Sequence, residues 1–142
     1  MKITIAILIS FLFIACGSKP AELIAFPTTC KAEDDKRYVQ FSGYITDGGS
    51  VFCSNTGGRM ECGFELTEKP DGGAKINVDI AQGSGSSSVE KFEGSYKKSD
   101  IKIHDKAGGL VKLGDKIQVK GKMNALPDGS HCFMTVDEIE KQ

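Results

Sequence analysis

Residues 113–123 read Leu113-Gly114-Asp115-Lys116-Ile117-Gln118-Val119-Lys120-Gly121-Lys122-Met123. Ile117, Val119, Gly121 and Met123 alternate with Lys116, Gln118, Lys120 and Lys122, the period-two signature of a strand with one buried face. Leu113-Gly114-Asp115 leads into it, and Leu126-Pro127-Asp128-Gly129 turns the chain after it. Cys132, Met134 and Val136 then share one face of a last strand, which ends in Asp137-Glu138-Ile139.

The same alternation recurs upstream. Val39, Phe41, Gly43 and Ile45 alternate with Gln40, Ser42 and Tyr44, with Gly43 placed where a bend or bulge is tolerated. Met60, Cys62, Phe64 and Leu66 form a second such set, and Ile76, Val78 and Ile80 a third, separated by the turn Pro70-Asp71-Gly72-Gly73. Ser87-Ser88-Val89-Glu90 fits a helix capping box, and Val89 with Phe92 supplies one buried turn before Gly94. Ile101 and Ile103 make a brief strand before Gly108-Gly109. These segments predict a mainly β domain of five principal strands, with one short helix between the third and the fourth. With 142 residues the chain holds one ordinary domain and an appendage. Eighteen basic residues nearly cancel nineteen acidic ones, which excludes a polycation built for nucleic acid.

The cysteines constrain the fold further. Placing Gly57-Gly58 at a two-residue hairpin turn sets Thr56 opposite Arg59, Asn55 opposite Met60, Ser54 opposite Glu61 and Cys53 opposite Cys62. At a non-hydrogen-bonded pair the Cα atoms approach to about 4.5 Å, within reach of a disulfide. Cys30 with Cys132 follows by elimination and ties the start of the domain to its last strand. The competing metal reading has weak spacing: Cys53 and Cys62 are too far apart for a zinc knuckle, and His131-Cys132 with Met134 does not match a blue-copper pattern.

The stretch 113–123, followed by a turn and a last strand, resembles the fourth and fifth strands of a small OB-type barrel, over roughly residues 37–139. The resemblance implies a closed five-stranded barrel over residues 37–142. It also implies a ligand face on the second and third strands, where members of that superfamily often bind oligonucleotides or oligosaccharides. Here that face carries Glu61, Gly63, Glu65, Lys75, Asn77 and Asp79. It reads as acidic and without an aromatic, which argues against nucleic acid as a partner.

The amino terminus supplies an address. After Met1-Lys2, residues 3–15 form an apolar run that would rise only about 20 Å as a helix, short of the roughly 30 Å hydrocarbon core. It therefore reads as the core of a signal peptide over residues 1–15. Phe13-Ile14-Ala15-Cys16 resembles the bacterial lipobox, with Phe13 where Leu is usual. That resemblance implies cleavage before Cys16 and a diacylglyceryl thioether on its sulfur, leaving residues 16–36 as a lipidated tether and lead-in. Leu23, Ile24 and Phe26 within that lead-in suggest that part of it packs on the body. Removing residues 1–15 takes away Lys2 as the one charged residue, leaving 17 basic against 19 acidic residues. The expected location is the bacterial cell envelope, with the domain held on a bilayer and facing the periplasm or the exterior.

No catalytic constellation stands out. Glu61 and Glu65 on one strand face are about 13 Å apart, beyond a glycosidase pair. His104 reads as a solvated strand histidine, and His131 as a neighbour of the Cys132 disulfide. Tyr38 and Tyr44 on the outer face of the first strand, with Lys116, Lys120 and Lys122 on the fourth, are candidate partner contacts. Lys97, Lys98 and Lys102 could lie beside those lysines, and the plain alternative for the stripe is a solvated edge strand guarded by lysines. The expectation is a non-enzymatic, cofactor-free module binding a protein, glycan or small molecule. The alternative is a small periplasmic metal carrier or enzyme using His104, His131 and carboxylates.

Overall fold

The computed structural model describes residues 20–91 and 97–142. Residues 1–15, Cys16, Phe92 and Gly94 lie outside the described residues. Among the described residues there are ten strands: β1 (Glu22–Leu23), β2 (Tyr38–Thr46), β3 (Phe52–Thr56), β4 (Arg59–Lys69), β5 (Gly72–Gly83), β6 (Ser88–Glu90), β7 (Ile103–His104), β8 (Leu110–Val111), β9 (Lys116–Ala125) and β10 (Cys132–Lys141).

Five long strands close on themselves in the order β2–β4–β5–β10–β9–β2. The β5–β10 pair is parallel, and the other four junctions are antiparallel. This is a closed, OB-like β-barrel, and closure removes the edges that an open five-stranded sheet would expose. The expected inward residues fill it: Val39, Phe41 and Ile45 from β2, Leu66 from β4, Val78 and Ile80 from β5, Ile117 and Val119 from β9, and Met134 from β10 are all buried.

The β3–β4 hairpin has the register anticipated from its glycines, with Cys53 opposite Cys62 and Asn55 opposite Met60. Gly57 and Gly58 both take positive φ, 62° and 85°, which a two-residue turn of this hand requires. Both disulfides are formed, Cys53–Cys62 with Cα atoms 4.0 Å apart and Cys30–Cys132 with Cα atoms 5.5 Å apart.

Three readings are corrected. Ser87–Glu90 does not start a helix: Ser88–Glu90 is β6, with Val89 beside Gln82 of β5 on one side and Ile103 of β7 on the other. The Ser87 hydroxyl, instead of capping, accepts the Ile139 N–H at 3.0 Å. Burial of the β-branched Val89 between two strands outweighs a local cap. Helical structure among the described residues is confined to two 3-10 turns, Ala32–Asp34 and Lys98–Asp100. Secondly, β9 is not an edge strand, because β2 and β10 pair with its two sides.

The third correction concerns Gly43, which marks a close approach and no bulge. A Cβ there would lie 2.8 Å from Cε2 of Phe26. Phe26 belongs to a strap formed by the lead-in: β1 runs parallel to β2, Phe26 meets Phe41 edge-on at 5.6 Å, and Cys30 then reaches β10. Ile24 and Phe26 pack on the core while Leu23 stays exposed.

Candidate ligand groove

Alternation along β4 and β5 turns Cys62, Phe64, Val78 and Ile80 inward and leaves Glu61, Gly63, Glu65, Asn77 and Asp79 on the outer face. Register then continues this face sideways. Phe52 of β3 lies opposite Gly63, Gly63 opposite Asp79, and Asp79 beside Thr135 of β10. One row further along, Glu65 lies opposite Asn77, and Asn77 beside Phe133.

Two depressions cross this face. One of about 320 Å³ lies between the strap at Pro27–Cys30, the Glu65, Lys75 and Asn77 side chains, and the Ser130–His131 loop. The other, about 240 Å³, lies between the Asp47–Ser50 loop, Phe52, Gly63 and Asp79. Glu65 and Asn77 border both, so the two form one groove across the strands.

The chemistry of the groove is mixed. Glu65 is paired with Lys75 at 3.0 Å. Asp79 is half-buried, and that burial, followed by the neighbouring Glu61 charge, pushes its carboxyl above the usual aspartate range, while His131 works the other way. Phe52 is 73% exposed at one end. At the other, the His131 ring lies 6.2 Å from the Phe133 ring, the two planes tilted by 32°. Carboxylates and an amide accept or donate hydrogen bonds, and exposed rings cover apolar faces, so the groove suits a polar ligand with a flat apolar side.

The face therefore is not free of aromatics. Phe52 was accessible to sequence reasoning, because the register that pairs Cys53 with Cys62 also sets Phe52 opposite Gly63. Phe133 was not, since its place depends on the parallel β5–β10 pair.

The remaining site residues fall elsewhere. Tyr38 lies opposite Lys122 and Tyr44 opposite Lys116, with Lys120 between them, so all five share the outer face of β2 and β9. Lys120 is partly neutralised by Glu138 at 3.1 Å. Burial, then the Asp137 charge and hydrogen bond, raise the Tyr38 hydroxyl above the ordinary tyrosine value. His104 is not a solvated histidine: its Nε2 meets Glu90 Oε1 at 2.7 Å and its Nδ1 meets the Gly108 carbonyl at 3.1 Å. His131 immediately precedes β10, whose Phe133 pairs with Asn77 of β5, whereas His104 pairs with Ser88 of β6, level with the far end of β5. The strand rise separates them by on the order of 20 Å, so they do not form one site. Among the described residues no three of His, Cys, Asp and Glu are grouped to hold a metal ion.

Comparison of the chain with protein-family models, with curated proteins and with solved structures finds no match.

Proposed function

We propose that this chain is an exported, lipid-anchored binding module that takes its ligand in the β4–β5 groove without transforming it. The observation that carries the binding role is Phe52, a large aromatic side chain 73% exposed at the mouth of a groove floored by Asp79, Asn77 and Glu65. An exposed ring beside polar groups that point the same way is what a recognition surface needs. Export is supported by the two disulfides, which persist in oxidising compartments. Anchoring is supported by the Phe13-Ile14-Ala15-Cys16 motif. The ligand class is a protein, glycan or small molecule. The Tyr38, Tyr44, Lys116, Lys120 and Lys122 face is a second candidate contact.

Two measurements test this reading. Intact mass of the membrane-extracted protein should show loss of residues 1–15, a diacylglyceryl group on Cys16 and no free thiol, and Cys16→Ser should release the chain into the aqueous phase. A full-length, reduced protein in the cytosol would refute export. For binding, thermal-shift screening of glycans and small metabolites against the detergent-solubilised chain should return hits that Phe52→Ser removes. Hits indifferent to Phe52 and His131 would refute the groove.

A further inference from the structure

β3 lies outside the closed barrel. It pairs with β4 on one side and, among the described residues, with no strand on the other. The two-residue turn at Gly57-Gly58 fixes which of its backbone groups β4 uses. Thr56 and Arg59 close that turn as a hydrogen-bonded pair, so Ser54 with Glu61 and Phe52 with Gly63 are hydrogen-bonded pairs too. Cys53 and Asn55 fall at the non-hydrogen-bonded positions between them. Their N–H and C=O groups therefore point away from β4, and no backbone group among the described residues meets them. Phe52, Ser54 and Asn55 are exposed.

Strands at the rim of a sheet are ordinarily protected by lysine, proline or a covering segment. β3 reads Phe52-Cys53-Ser54-Asn55-Thr56 and has neither a charge nor a proline. The Cys53–Cys62 bond ties it to β4, so its row of free groups is already in place and little entropy is lost when a partner pairs with it.

A row of unpaired amides and carbonyls is completed by an extended backbone. The sequence of β3 selects which one. Turned end for end about an axis through Ser54 and normal to the sheet, β3 meets its own image in phase. Cys53 then lies opposite Asn55 of the second copy, and Asn55 opposite Cys53, which makes two hydrogen-bonded pairs and four hydrogen bonds. Ser54 faces Ser54 between them, so no like charges oppose one another. Moving the axis to Cys53 or to Asn55 leaves one such pair within the strand. The register about Ser54 also brings Arg59 of the second copy into the row of Phe52, two strands or roughly 10 Å away. An extended arginine side chain narrows that gap to the cation–π range of about 6 Å.

We propose that two copies of this chain pair through β3, antiparallel and with Ser54 on the two-fold axis, so that the sheet runs on from one barrel into the other. Four backbone hydrogen bonds and two rings make an interface of the small, transient class, which forms where copies are concentrated. The pairing depends neither on the groove nor on the anchor.

Disulfide trapping of the full chain in detergent micelles is the test. Ser54→Cys places two thiols at a non-hydrogen-bonded pair, where Cα atoms approach to about 4.5 Å, whereas two Asn55→Cys positions lie diagonally, beyond the limit of about 7 Å. Under mild copper-phenanthroline oxidation Ser54→Cys should give about tenfold or more covalent dimer than Asn55→Cys, and peptide mapping should place the new bond between the introduced cysteines. Adding Asn55→Pro removes an N–H that β4 does not use, and should lower the Ser54→Cys dimer by about tenfold while circular dichroism shows the barrel intact. In the unsubstituted chain, amide exchange at Cys53 and Asn55 should slow as protein concentration rises, while that of Ser54, already bonded to β4, stays constant. Equal trapping at positions 54 and 55, a dimer indifferent to Asn55→Pro in a folded chain, or exchange independent of concentration overturns the proposal. So does capture of the Ser54→Cys chain by a different protein in intact membranes, in preference to itself, which would assign the edge to a foreign strand.

Discussion

Replacing Gly121 by alanine adds one carbon at the most crowded glycine on the barrel wall. The new Cβ would sit 3.0 Å from both the Thr135 carbonyl carbon and Val136 Cα, and closer still to the Thr135 oxygen. All three are backbone atoms of the neighbouring strand, beside the irregularity between Val136 and Glu138, so no rotamer change relieves the contact. Restoring ordinary van der Waals separation parts β9 from β10 by about 1 Å, which stretches ladder bonds beyond useful length. Two lost ladder bonds at about 1 kcal/mol each, with an overpacking cost of about 1–3 kcal/mol, give a destabilisation of about 3–5 kcal/mol. That is a large part of the about 5–15 kcal/mol typical of a domain. Gly63→Ala is the control: its Cβ would meet Asp79 Oδ1 at 3.5 Å and the Phe52 carbonyl at 3.7 Å, both ordinary contacts, and its φ is not positive. It should stabilise by about 0.4–1 kcal/mol, chiefly by restricting the unfolded chain. Urea unfolding of the oxidised protein, followed by far-ultraviolet circular dichroism because the chain lacks Trp, reads both effects. The expected fall in midpoint for Gly121→Ala is roughly 2 M. The reasoning is refuted if Gly121→Ala comes within 1 kcal/mol of the parent, as an order-of-magnitude threshold, or if the two substitutions cost the same.

Removing Cys30–Cys132 by paired alanine substitution should cost about 4–5 kcal/mol, and removing Cys53–Cys62 about 2.5–3 kcal/mol, because the first bond spans 102 residues and the second 9. Equilibrium urea curves of the two double variants check the ranking, and the reverse order would contradict the loop-entropy account. His104 is raised above its ordinary value by the Glu90 hydrogen bond, then by the Gly108 carbonyl. Its contribution to stability is therefore complete below the unfolded histidine value near 6.5 and is lost as pH rises through the higher folded value. An NMR titration of the His104 ring should show the upward shift, and His104→Gln should flatten the pH dependence of stability in that window. Phe26→Ala, which removes the ring packed edge-on against Phe41, should cost about 2–3 kcal/mol and loosen the strap. Faster amide hydrogen exchange at Ile24, whose N–H bonds to the Gln40 carbonyl, would report that loosening.

The five long strands were legible because each buries one face and exposes the other, and the alternation of Ile117, Val119 and Met123 with lysines and Gln118 records that directly. The Cys53–Cys62 pairing was legible because a two-residue turn fixes hairpin register. The β6 strand was missed: Ser87-Ser88-Val89-Glu90 satisfies a local helix signal, and the choice of strand depends on β5 and β7 lying on either side. The guarded-edge reading of the lysine stripe failed for the same reason, since a strand sequence does not state how many neighbours it has.

Local order along this chain, together with one disulfide of short span, is therefore written in the residues themselves, because side-chain alternation and turn chemistry act over a few positions. Which strands become neighbours was decided by closing the barrel. Only that closure sets β5 parallel to β10, brings His131 to the groove that Phe52 borders, and places Phe133 beside Asn77. Contacts between residues far apart in sequence depend on the energy of the whole packed core, which no short window contains.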